Sequence, residues 1–111
     1  MYYVITYNEI IGTHRYKEAN GLLKYLSYKH RHVFKIRCWF KVEDPNREIE
    51  FNLKQNEIEK ILRDNFVEEK GMGLNFGNMS CEMIGSFIIQ NIGCDMCEVL
   101  EDGFGGSFVR K

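Results

Sequence analysis

Residues 30–43 carry the clearest pattern in the chain. His30, His32, Phe34, Ile36, Cys38, Phe40 and Val42 occupy alternate positions, and Arg31, Val33, Lys35, Arg37, Trp39, Lys41 and Glu43 occupy the others. Successive side chains of a strand point to opposite faces, so this period of two predicts a half-buried antiparallel strand. Residues 2–8 are aromatic and β-branched and also read as a strand, which residues 10–14 continue after a break. Between them, residues 17–28 read as a loop leading into a short helix or turn. Asp44, Pro45 and Asn46 predict a turn, and residues 47–51 a short extended piece.

The period then lengthens. Ile58, Ile61, Leu62 and Phe66 form an apolar stripe at helical spacing, with Asn52 as the expected cap and Gln55 completing a capping box. Residues 68–78 hold Gly71, Gly73 and Gly77 and read as loop. Ser80 is positioned to cap a second helix striped by Ile84, Phe87, Ile88 and Ile92, with Gly93 ending it. Residues 94–101 read as a strand, 103–106 as a turn and 107–110 as a closing strand. The order β-β-α-α-β-β predicts an α+β fold: a four-stranded antiparallel sheet with two helices on one face. So small a sheet leaves open edges that must be paired or covered, which predicts a homo-oligomer.

Composition narrows the classes. A length of 111 residues fits one domain, residues 1–111. Eight Phe and six Tyr argue against disorder. No apolar run reaches the roughly 18 residues needed to span a bilayer, so no membrane association is expected. A net charge of −1 argues against nucleic acid as the main partner. Four cysteines, without a basic and then apolar leader at the start, predict reduced thiols and a cytoplasmic location.

The chain has three histidines. His30 and His32 are two apart on a strand, so their rings share a face and stand about 6–7 Å apart at the backbone. His14 ends the strand expected to pair with theirs. Three imidazoles converging on one ion would leave a fourth position open, which is the catalytic pattern of zinc. The alternative is three ordinary histidines with hydrogen-bond partners. Yet the pair sits on the face that continues as Phe34, Ile36 and Phe40, where unpartnered imidazoles are costly to bury.

With these positions in view, the chain resembles the 6-pyruvoyltetrahydropterin synthase and 6-carboxytetrahydropterin synthase family. Thr13-His14-Arg15-Tyr16 falls at the family's first His motif, and His30-Arg31-His32 at its His-Gly-His. Glu50-Phe51 stands at Asp-Phe, and Met79-Ser80-Cys81-Glu82 at Pro-Thr-x-Glu. Val99-Leu100-Glu101 matches the terminal Val-x-Glu, and Gly106-Ser107-Phe108 the small-x-Tyr of the last strand. A rival register puts residues 71–76 at the family's Gly-Met-Val-x-Asp-Phe, but strands a whole helix before it.

The resemblance implies the tunnelling fold (T-fold), in trimers that pair face to face into hexamers with sites between subunits. It also implies zinc on His14, His30 and His32, and a pterin-like ligand anchored by Glu101. A carboxylate can accept a pterin's ring N–H and exocyclic amine side by side. An exposed strand-end glutamate is the alternative. Ser80 and Glu82, at a helix start, are expected to support the ligand, though capping alone also explains them.

The pattern also breaks. The family's proton-abstracting Cys is absent from residues 23–29, and no histidine remains for its Asp-His pair, which falls at Asp64-Asn65. Asp64 is the residual catalytic candidate. Ser27, Tyr25 and Tyr28 are poor bases unless activated. Two functions stay open: a zinc-dependent lyase-like enzyme, and a non-catalytic zinc protein that binds a small ligand or a protein. Cys94 and Cys97 form a C-x-x-C whose members face opposite ways on a strand, which predicts packing rather than chelation. Cys81, in a helix first turn, is placed where a thiol pKa can fall.

Overall fold

The computed structural model describes Met1–Lys111. The elements run β1 (Tyr2–His14), a 3-10 helix (Gly21–Ser27), β2 (His30–Val42), α1 (Phe51–Asn65), β3 (Glu68–Glu69), β4 (Gly73–Asn75), α2 (Cys81–Ile92), β5 (Met96–Glu101) and β6 (Gly105–Arg110). The fold is α+β, as the order predicts. The sheet is not the expected four antiparallel strands. It has six, in the order β3-β4-β1-β2-β5-β6, and β4 runs parallel to β1.

The two extra strands come from the segment read as loop. At two and three residues they are too short to alternate visibly. Leu74 pairs with Gly12 and Asn75 with Thr13, and Glu68 pairs with Leu74. Gly73 makes this pairing fit. Its φ is +81°, and a Cβ there would lie 2.0 Å from the Ile11 carbonyl oxygen. Only a residue without a side chain lets β4 come that close.

The hairpin of β1 and β2 is the longest pairing, running from Tyr2 opposite Val42 to His14 opposite His30. The expected break in the first strand is absent. The alternation of β2 holds: Phe34, Ile36, Cys38, Phe40 and Val42 are buried, while Arg31, Arg37 and Lys41 are exposed. α1 and α2 lie over this inner face. Ile58 and Leu62 of α1, and Ile84 and Ile88 of α2, join Phe34, Ile36 and Val99 in one core. The cap of α1 is Glu50 rather than Asn52: its carboxylate accepts from Leu53 N at 3.0 Å. Ser80 caps α2 and Gly93 ends it in the left-handed region, as read.

The outer face of the sheet has no covering layer. Ile5, Tyr7, Ile11 and Phe108 remain 40 to 52 % exposed there. Nor does any strand pair with the outer edge of β1 before Gly12, although Gln55 of α1 accepts from Tyr7 N at 3.0 Å. No helix is long and apolar enough to cross a membrane.

Gly73→Ala should destabilise the protein by about 1–3 kcal/mol, because it adds a clash to a strained backbone. Gly71→Ala, where φ is +78° and space is open, should lose only about 1 kcal/mol. Thermal unfolding of both variants decides the point. Equal losses would mean that the close approach to Ile11 contributes nothing.

Candidate metal centre and pocket

The β1–β2 register sets His14 directly opposite His30 and Gly12 opposite His32. All three imidazoles therefore leave the inner face at one end of the hairpin. Their centroids are 4.6, 4.9 and 5.3 Å apart. Phe34 is the floor beneath them, edge-on to His14 at 5.1 Å and to His32 at 5.7 Å. One ligand atom from each ring falls within 4.8 Å of the other two.

Hydrogen bonds fix how the rings present themselves. His14 Nδ1 lies 2.9 Å from Met79 O, and His30 Nδ1 lies 2.8 Å from Tyr28 O. A carbonyl only accepts, so both Nδ1 atoms donate. His32 Nδ1 donates to Asp102 Oδ2 at 2.7 Å. In the neutral rings each Nε2 then carries a bare lone pair. A carbonyl or carboxylate behind each ring is the arrangement that orients metal-binding imidazoles. Nε2 of His14 and of His32 are buried without a hydrogen-bond partner, so the structure leaves them an unmet need. Burial holds His14 below the ordinary imidazole range, against the opposing pull of the Met79 carbonyl and Glu101.

Asp102 was not singled out in the sequence. It follows Glu101 in the turn between β5 and β6, where its φ is +55° and that of Gly103 is +81°. Asp-Gly is a dipeptide that tolerates such a turn, and this was the available signal. The Asp102 carboxylate also accepts from Val33 N at 2.9 Å, and its own N–H donates to Val33 O at 2.9 Å. The Val33 N–H, with His32 next, holds its carboxyl below the usual range.

Glu101 stands at the pocket wall, against two of the imidazoles. Its Oε2 lies 3.1 Å from His14 Nε2, and its Oε1 lies 3.3 Å from His32 Nε2. Cys81 donates to Oε2 at 3.6 Å. Burial, and then the Glu101 charge, push the Cys81 thiol up to about 12, against the lowering expected at a helix start. The helix position is outweighed by the loss of water and a neighbouring carboxylate.

These groups open on a cavity of about 850 Å³. Ser80 and Glu82 line it, as expected for the start of α2. Ser80 accepts from Met83 N at 3.2 Å, and Glu82 accepts from Ser107 Oγ at 2.6 Å. The serine hydroxyl keeps the Glu82 carboxyl below its ordinary value. Arg15, Tyr16 and Glu18 form another part of the wall. Glu18 thus supplies the pocket with a carboxylate from the connection between β1 and β2.

Asp64 is not in the site. It lies on the outer side of α1, paired with Lys60 Nζ at 2.6 Å, and lines no part of the pocket. It is two residues beyond inward-facing Leu62, about 200° around the helix, and so points to solvent. Tyr25 and Tyr28 are exposed outside the pocket, and the Ser27 hydroxyl donates to Lys24 O.

The C-x-x-C packs in the core as read, but strand alternation is not what arranges it. Cys94 precedes β5, so strand alternation does not separate it from Cys97. Both are buried with Cys38, whose Sγ is 3.8 Å from that of Cys97. All four cysteines are free thiols. Contact with Cys94 pushes the Cys38 thiol up to about 12, and contact with Cys38 pushes Cys97 up as well.

No family model matches the chain, and no curated protein sequence matches it.

Asp102→Asn should lower the affinity of the three-histidine cluster for an added divalent metal ion about 10–100-fold, by removing the anion behind His32. The amide oxygen can still accept from Val33 N, so the fold should persist. Competition against a chromophoric chelator measures the change. Parental affinity would mean that this contact does not hold the ring for a metal.

Proposed function

We propose that this protein is a zinc-dependent, pterin-binding protein of the tunnelling fold, similar to the 6-pyruvoyl- and 6-carboxytetrahydropterin synthases. The observation that carries the reading is the convergence of three Nδ1-anchored imidazoles at the wall of a ligand-sized pocket. Cavities of roughly 300–1,000 Å³ with a few convergent polar groups are typical of small-molecule sites. His14, His30 and His32 are the zinc ligands, and their chemistry fits that ion: neutral nitrogen donors, fixed by partners behind each ring. Bound zinc would polarise an oxygen of the ligand and acidify the neighbouring C–H bonds.

The remaining wall supports the ligand class. A flat heterocycle with adjacent N–H donors suits a carboxylate acceptor, and Glu82 and Glu101 are the two nearest the start of α2. Ser80 shares that helix start. Arg15 offers a charge for an anionic tail. The reaction is a lyase-type proton removal on a dihydroneopterin triphosphate-like substrate. Glu18 is the pocket carboxylate best suited to act as base, since Cys81 keeps its proton at neutral pH.

A second reading is favoured by the absence of a Cys or His base: a non-catalytic zinc protein that holds the same ligand or a protein partner. The uncovered outer sheet face and the bare edge of β1 favour self-association in both readings, as a trimer or hexamer. Free thiols fit a reducing, cytoplasmic setting.

Elemental analysis of the purified protein should find close to one zinc per chain, and His32→Ala should lose it. Glu82→Gln should keep the metal and weaken neopterin binding by at least about tenfold, since a lost charged hydrogen bond is worth about 1.5–3 kcal/mol. Incubation with dihydroneopterin triphosphate separates the readings. Consumption that Glu18→Gln abolishes supports the enzyme. Tight neopterin binding without consumption leaves the binding protein. Metal-free parent protein that also ignores neopterin would remove both.

A further inference from the structure

We propose that Glu101 is the fourth ligand of the metal, so that the resting centre is closed by three imidazoles and a carboxylate rather than by water. The inference rests on the zinc reading above and assigns Glu101 a role different from holding the heterocycle.

Tautomers make the first argument. His14 Nδ1 is committed to a carbonyl, and His32 Nδ1 to a carboxylate. Their neutral Nε2 atoms are acceptors. Glu101 presents two more acceptors to them, at 3.1 and 3.3 Å. Lone pairs do not attract lone pairs. With both rings neutral and their protons on Nδ1, neither Nε2 has a proton to give, so these short approaches are not hydrogen bonds. Four acceptors packed together this way call for a cation between them.

Distance makes the second argument. Zinc lies about 2.0–2.2 Å from nitrogen and oxygen ligands. In a tetrahedron those lengths put neighbouring ligand atoms about 3.3 Å apart. Each Glu101 oxygen sits near that edge length from one ring nitrogen. His30, which has no such contact with Glu101, completes the set from the β2 side.

Competition makes the third argument. No Lys or Arg pairs with Glu101, whose other polar contact is the Cys81 thiol at 3.6 Å. That thiol satisfies one lone pair and neutralises nothing. The backbone also holds the carboxylate in place. Glu101 is paired with Phe34 on one side and Gly105 on the other, at the last position before the Asp102 turn. The same turn supplies the carboxylate behind His32, so one hairpin end would provide a ligand and its neighbour's support.

The test uses the full chain loaded with Co²⁺, whose visible bands report coordination, and with azide as a probe of open positions. The parent should show four-coordinate bands that azide leaves unchanged. Glu101→Ala should shift those bands and respond to azide. Glu101→Gln, which keeps the shape of the side chain, should bind Zn²⁺ more than about 100-fold more weakly, since even support behind a ligand is worth 10–100-fold. Circular dichroism checks that each variant is folded. Azide-sensitive bands in the parent would overturn the proposal without needing any variant. So would parental Zn²⁺ affinity in Glu101→Gln. Both outcomes leave a three-histidine centre standing. A parent that binds neither Zn²⁺ nor Co²⁺ would instead remove the metal reading itself, and this one with it.

Discussion

The site depends on the register of a single hairpin. Tyr2 opposite Val42 and His14 opposite His30 are the ends of one ladder, and every pair between them keeps the same phase. A slip of one residue would turn one strand's side chains to the other face of the sheet. His14 would then no longer meet His30 and His32. The phase is secured far from the histidines, where Phe34, Ile36, Cys38 and Phe40 must face the helices. The packing of the core and the meeting of the three rings are consequences of the same alternation.

Around that ladder, separate parts of the chain finish the site. The Met79 carbonyl, just before α2, accepts a hydrogen bond from His14 Nδ1. The Tyr28 carbonyl, before β2, accepts one from His30 Nδ1, and the Asp102 carboxylate beyond β5 accepts one from His32 Nδ1. Each imidazole is oriented by a different loop. The cavity is correspondingly built where β1, β2, β5 and the start of α2 come together. Buried nitrogen acceptors with nothing to accept from are an expensive feature of a fold, and folds keep such features mainly where a ligand answers them.

Much of this was legible in the residues. The alternation along β2, the stripe of α2 and its Ser80 cap follow from short-range rules, and so did the meeting of the histidines. The misses have local causes. β3 and β4 are too brief to show a period, and what makes β4 is the absence of a side chain at Gly73 together with a partner 62 residues away. Glu50 rather than Asn52 caps α1 because the helix starts one residue before Asn52. Cys94 escaped its expected separation from Cys97 because β5 begins only at Met96. Motif spacing alone puts Asp64 in the site, whereas the angle around α1 decides where it points. Glu18 and Asp102 reach the pocket from loops, and nothing in a sequence window says where a loop folds back.

The Asp102 clamp has a thermodynamic corollary. One carboxylate joins the turn of the last hairpin both to the backbone at Val33 and to the ring of His32. Whatever tightens that ring also tightens the hairpin, and by the same free energy an ordered hairpin favours whatever occupies the ring. Amide exchange at residues 102–105 would therefore slow on occupancy, although those residues lie outside the cluster of imidazoles. The chain's last two strands become a reporter of events at the far end of its first.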